Sequence, residues 1–179
     1  MHSDDHDAEL SRRLFNDAPE TSGPDHATKA YDNAVLEQYK LYVEMADRVS
    51  ARRGLTNSFF LTLNTGIVTA IVTLVAAVHE VPAGGKAWWL AIPLVAILGQ
   101  CYAWFYLVRS YRLLNSAKYR VVGALEERLP ASPFWRAEWW ELGEGRDRAR
   151  YWPLSHIEQW IPVLFGLTYL AGFLAIILA

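Results

Sequence analysis

The chain has 179 residues, a formal net charge of -2, 53% hydrophobic and 20% charged residues, and one cysteine. A lone cysteine excludes an intrachain disulfide and any cysteine-cluster metal site. The hydrophobic share is gathered into three runs, each long enough for the roughly 20 helical residues that cross a bilayer core, and the polar remainder is too short to cover them in a soluble fold.

Residues 1–28 form an acidic tail. Asp4, Asp5, Asp7, Glu9, Asp17, Glu20 and Asp25 stand against Arg12 and Arg13, which is -5 out of the total of -2 and leaves +3 for the rest. With few large apolar residues and with Pro19 and Ser22-Gly23-Pro24 inside it, the tail is expected to be disordered. It has neither the basic start nor the apolar core of a secretory signal. His2, His6 and His26 with Asp4, Asp5 and Asp7 make a loose tract of metal-binding composition, but an unordered tail fixes no coordination geometry, so no metal site is expected.

Residues 29–56 read as one amphipathic helix. Tyr31, Val35, Tyr39, Tyr42, Ala46 and Val49 recur at spacings of three and four, and no Pro or Gly interrupts them before Gly54. The helix is expected to lead straight into the first span, 57–79, which contains no Asp, Glu, Lys or Arg. On that span Ser58, Thr62, Thr65, Thr69 and Thr73 form one hydroxyl stripe, with Asn57 and Asn64 nearby. Two readings stay open. The hydroxyls bond their own helix or a neighbour, with Thr62, Gly66 and Ala70 as a small packing face; or the stripe lines a hydrated path in an oligomer, since one three-helix subunit cannot enclose a pore.

An external turn at 80–86 leads to the second span, 87–108, again free of charged residues, with Cys101 expected to pack inside it. A helix at 109–129 follows, with Tyr111, Leu114, Val121, Leu125 and Leu129 along one side. It should pack antiparallel to 29–56, because the hairpin of spans brings the two out together. The connector, 130–156, is punctuated by Pro130, Pro133, Gly143, Gly145 and Pro153 and crowded with aromatics. Either it packs on the helices or lies in the headgroup layer, or it offers Trp135, Trp139, Trp140, Arg146, Arg148 and Arg150 to a cytoplasmic protein, a lipid or a small signal ligand. The third span, 157–179, begins with Glu158 and Gln159; His156 and Glu158 are expected to cap its start. Pro93 and Pro162 fall in the first turns of their spans, where a missing N–H costs little.

Basic residues set the orientation. Lys40, Arg48, Arg52 and Arg53 precede the first span and nine lysines and arginines fill 109–156, whereas 80–86 offers only Lys86. The N-terminus is therefore expected in the cytoplasm and the C-terminus outside, in a bacterial inner membrane, with the basic segments near anionic lipid. Trp88 and Trp89 would mark the outer interface and Trp104, Tyr106 and Trp160 the inner one.

No motif dictates a reaction. The spans hold no central ionisable residue for a proton relay and no broken helices in repeat. There is no phosphate loop, no nucleophile elbow and no paired zinc histidines, and His156-Ile157-Glu158 lacks the cysteine pair of a zinc deaminase. No catalytic, cofactor-binding or metal residue is assigned, and no nucleic-acid partner is expected.

The strings LEQYKLYVEMADRVSARRGLTNSFFLTLNT and YWPLSHIEQWIPVLFGLTYL resemble the two ends of a family of uncharacterised bacterial small integral membrane proteins, from about residue 34 to the C-terminus. In outline, a long cytoplasmic helix entering a two-span hairpin also resembles the SLATT group, regarded as pore-forming effectors of nucleotide-signalled bacterial defence. Neither resemblance brings catalytic residues. The fold expected is all-α, three spans with a cytoplasmic layer of two long amphipathic helices, assembled as a homo-oligomer. The leading expectation for function is an oligomeric channel or pore with a sensing layer. The alternatives are a non-conducting scaffold that recruits a cytoplasmic protein through Tyr39, Tyr42 and the Trp-rich connector, and a lipid-acting enzyme.

Overall fold

The computed structural model describes residues 2–15, 25–77, 88, 90–143 and 157–178. Every element among them is helical: α1 (His2–Leu14), α2 (Asp25–Ala77), α3 (Ala91–Glu126), a π-helical segment (Pro133–Glu138) running into a short α4 (Trp139–Glu141), and α5 (Ile161–Leu178). Three of them, α2, α3 and α5, are long and apolar enough to cross a membrane. The all-α, three-span fold is the one the sequence implies. The turn at 80–86 and Arg146, Arg148, Arg150 and His156 lie outside the described residues.

The physical chemistry of the chain accounts for where the helices run. α2 is unbroken for 53 residues because no proline falls within it and Gly54 costs only about 1 kcal/mol of propensity. Pro93 is the third residue of α3 and Pro162 the second of α5, where the backbone N–H has no intrahelical partner to lose. At the end of the described connector, Gly143 takes φ of 75°, the left-handed conformation that stops a helix and that glycine adopts without strain.

The chain divides into two compact units. The first comprises Met1–Ser50 and Leu113–Trp152, the second Ala51–Arg112 and Pro153–Ala179. In the first, α2 and α3 run antiparallel: Tyr39 meets Glu126, Tyr42 meets Lys118, and Ser50 lies 3.4 Å from Asn115. Val35 and Ala46 of α2 and Val122 and Leu125 of α3 are buried between them. The α2 face is the one the periodicity predicts. The α3 face is turned by about one residue, so that Leu114 is exposed and Asn115, Lys118 and Val122 face the seam. The reason is the tyrosines opposite: Lys118 is 8% exposed with its ammonium 4.6 Å above the Tyr42 ring, a placement that an apolar count does not reward.

The acidic tail differs from its expectation. Its first part is helix α1, in which Glu9 pairs with both Arg12 and Arg13 one turn on. Leu10, Leu14 and Phe15 are half-buried, and the Arg128 guanidinium stacks on Phe15 at 3.7 Å while donating to the Tyr31 hydroxyl at 2.9 Å. Composition alone undervalues three half-buried apolar residues at helical spacing, the last of which meets Arg128.

In the second unit, α2, α3 and α5 share an aromatic core. Trp104 is fully buried, stacked on Phe60 with centroids 5.6 Å apart and tilted against Phe165 at 5.9 Å. The ring therefore faces its own helices and not the headgroups expected around it. The indole N–H donates to Asn57 Oδ1 at 2.9 Å, so the ring needs no headgroup partner. Glu158 likewise faces Arg53 of α2 at 3.4 Å, with both side chains under one-fifth exposed, rather than capping its own helix. A partly desolvated arginine attracts a carboxylate more strongly than a helix dipole does.

Candidate functional site

The hydroxyl stripe lies away from the three-helix core. Asn57, Phe60 and Asn64 face α3 and α5, and at about 100° per residue Ser58, Thr62, Thr65, Thr69 and Thr73 fall on nearly the opposite side of α2. All five are exposed. Thr65 donates to the Leu61 carbonyl at 2.8 Å, Thr69 to that of Thr65 at 2.9 Å and Thr73 to that of Thr69 at 2.8 Å. Each hydroxyl has spent its proton inside the helix, so what it presents outward is an oxygen acceptor. Gly66 and Ala70 are exposed too, and a Cβ on Gly66 would meet nothing within 4 Å. Among the described residues, nothing packs on the small-residue face of Thr62, Gly66 and Ala70.

Asn64 does not belong to the stripe. It is fully buried where the three spans meet. Its amide Nδ2 donates to the Phe60 carbonyl at 2.8 Å, and its Oδ1 accepts from the Tyr169 hydroxyl at 3.1 Å and from Cys101 Sγ at 3.7 Å. The Tyr169 hydroxyl also lies 3.2 Å from the Asn64 carbonyl. One amide thereby links α2, α3 and α5. Beside Cys101, the Gln100 Nε2 is buried without a hydrogen-bond partner among the described residues.

The first unit holds a polar clamp that the sequence reading missed. Glu126, the last residue of α3, is 1% exposed, and its carboxylate accepts four hydrogen bonds. Tyr39 donates its hydroxyl at 3.0 Å and Ser132 its hydroxyl at 2.8 Å, and the backbone N–H groups of Phe134 and Trp135 donate at 3.1 and 2.9 Å. Those two N–H groups are orphan donors at the start of the π-helical segment, so a buried carboxylate from another element caps it. Burial, followed by the hydrogen bond to Glu126 and the charge of its carboxylate, pushes the Tyr39 hydroxyl up to about 12. Trp135 lies against Gly123 so closely that a Cβ there would sit 2.7 Å from the ring.

Tyr39 and Tyr42, which lie on the packing face of α2 and were also candidates for partner contact, are half-buried and meet Glu126 and Lys118. Trp139 and Trp140 are exposed, as a contact role would need, and Trp140 with Arg136 and Ser132 borders a cavity of about 420 Å³ beside the clamp. Of the histidine tract only His6 and Asp7 have described side chains, 3.9 Å apart; among the described residues no three His, Cys, Asp or Glu side chains converge on a metal position.

The model of the octameric membrane protein family, 8xMP, matches residues 36–178, from the seam of α2 through the connector to the end of α5. The chain belongs to this family. Membership makes this 8xMP protein an integral membrane homo-oligomer, as the uninterrupted spans and the unused small-residue face suggest. The match begins after α1 and the first turns of α2. No curated protein and no solved structure matches the chain.

Serine followed by proline at 132–133 is a legible helix start. That the cap comes from Glu126 is not legible, because a carboxylate ending an amphipathic helix ordinarily reads as solvated. Tyr169 carries no local signal at all.

Proposed function

We propose that this 8xMP protein is a ring of eight subunits in a bacterial inner membrane whose first-span hydroxyl stripes line a water-filled path. The residues before the first span and the connector are cytoplasmic and form a sensing layer for a signal ligand or protein, and the C-terminus is external. The observation that carries the reading is the stripe itself. Its five side chains are exposed on the side of α2 turned from the core, and the three threonine hydroxyls that donate to carbonyls of their own helix leave oxygen acceptors pointing outward. Rings of hydroxyl oxygens can replace water around a passing cation. The family name supplies the eightfold count that a single three-helix subunit needs to surround a path.

The test is ion flux through purified protein in liposomes. Thr65→Leu with Thr69→Leu should reduce flux at least tenfold while the assembly keeps its mass. Unchanged flux with the mass retained would remove the pore reading.

A second reading, a non-conducting scaffold, is favoured by one observation: exposed Trp139 and Trp140 sit on a connector locked to α3 by Glu126. In that case Trp139→Ser with Trp140→Ser abolishes capture of a cytoplasmic protein and leaves membrane permeability alone. Both readings are non-catalytic and need no cofactor beyond the surrounding lipid; an enzyme acting on lipid would require turnover that disappears on replacing His156.

A further inference from the structure

In the first unit the two sides of the α2–α3 seam are unequal. The connector covers the side marked by Tyr39 and Glu126, where Trp135 rests on Gly123. On the other side, marked by Tyr42 and Lys118, Leu41 is 58% exposed, Met45 41% and Leu114 46%. At about 100° per residue Leu41 and Met45 stand roughly a quarter to a third of a turn from the seam positions, the buried Val35 and Ala46 and the half-buried Tyr39 and Tyr42. Leu114 is displaced from its own seam residues, Tyr111, Lys118 and Val122, to the same side, since an antiparallel partner counts round in the opposite sense.

Lipid does not account for the α2 part of this strip. Leu41 precedes the apolar run at Asn57 by sixteen residues, about 24 Å of helix, with Glu44, Asp47, Arg48, Arg52 and Arg53 in between. Nor does its border favour a strongly charged partner. Glu37 pairs with Lys40 at 2.8 Å and Glu44 with Arg48 at 2.7 Å, so the flank of the strip is internally neutral. An apolar strip with a neutral rim, in a chain that is a homo-oligomer, fits another copy of itself.

We infer that the Leu41, Met45 and Leu114 strip is a subunit contact, buried in the assembled protein against a second copy of this chain. The inference rests on the homo-oligomer and not on a conducting pore, so it stands or falls on assembly and not on flux.

Two measurements on full-length protein in lipid nanodiscs test it. In the first, Leu41→Glu with Met45→Glu should lower the particle mass below that of the native assembly while helical circular dichroism is retained; a particle of native mass overturns the inference. The second is independent of whether that variant folds. Leu41→Cys is placed in a Cys101→Ser background and labelled with a bulky maleimide, once in the intact assembly and once after dispersal to single chains in detergent. Labelling at least tenfold slower in the assembly supports the contact, since apart from the belt protein at the bilayer edge only lipid and other copies of the chain are present. Equal rates in the two preparations overturn it, including where the strip proves to be reserved for a different protein.

Discussion

An asparagine amide offers four hydrogen-bonding positions, and in hydrocarbon each one left empty is costly. Asn64 fills three of them with Phe60, Tyr169 and Cys101, and in doing so fixes which faces of three apolar helices meet. Replacing Asn64 with Ala should lower stability by about 1 kcal/mol, with most of it shared with Tyr169→Phe in a double-mutant cycle, because interhelical hydrogen bonds in membranes contribute about that much. The cycle is read from unfolding midpoints in mixed micelles, and a coupling near zero would mean that the aromatic packing alone sets the register. Tyr39 makes a different prediction, one of pH. Its hydroxyl is raised from 10.0 to about 12, so the native state holds the proton more tightly than the unfolded chain does. The stabilising contribution is complete below about pH 10 and is lost as pH rises through about 12. Tyr39→Phe should remove that loss from the unfolding profile between pH 10 and 12, whereas an unaltered profile would place the titration on another group.

At the scale of elements, the connector shows what a helix end demands. Its π-helical turn closes with the Ala137 N–H donating to the Ser132 carbonyl at 3.2 Å, and its first free donors turn to Glu126 instead of water. Close packing completes the clamp, since Trp135 occupies the space that a side chain at position 123 would need. Gly123→Ala should therefore destabilise the connector even though alanine gains about 1 kcal/mol of helix propensity, because overpacking against an aromatic ring costs about 1–3 kcal/mol. Faster hydrogen exchange across 133–141 is the expected signature, and Trp135→Ala in the same chain should recover the alanine gain. Exchange as slow as in the parent would show that the ring moves aside at no cost. The same clamp gives Tyr39, which periodicity places on the packing face of α2, a partner that periodicity does not name: a carboxylate 87 residues later that takes its hydroxyl.

For the molecule as a whole, the decisive quantity is the number of copies. A protomer that leaves Ser58 to Thr73 exposed along one face of α2, and Gly66 with nothing beside it, presents surface that its own helices do not cover. The expected protein mass in a nanodisc is eight times the 20.3 kDa chain. A monomer or dimer would leave too few helices to surround water, and the scaffold reading would then take precedence.

What the sequence determined by itself was the all-helical fold with three helices able to span a membrane, the continuity of α2, and the α2 face of the first unit, because hydropathy and 3.6-residue periodicity are local properties that need no partner to be expressed. The tertiary structure alone decided the polar assignments. Asn64 left the stripe for Tyr169, Trp104 left the interface for Asn57, Glu158 turned to Arg53, and Glu126 became the cap of the connector. Asn64, Trp104 and Glu158 each meet a partner on another helix and Glu126 one on the connector that follows it, and the cost of leaving a buried polar group unpaired decides such outcomes only once the elements are packed.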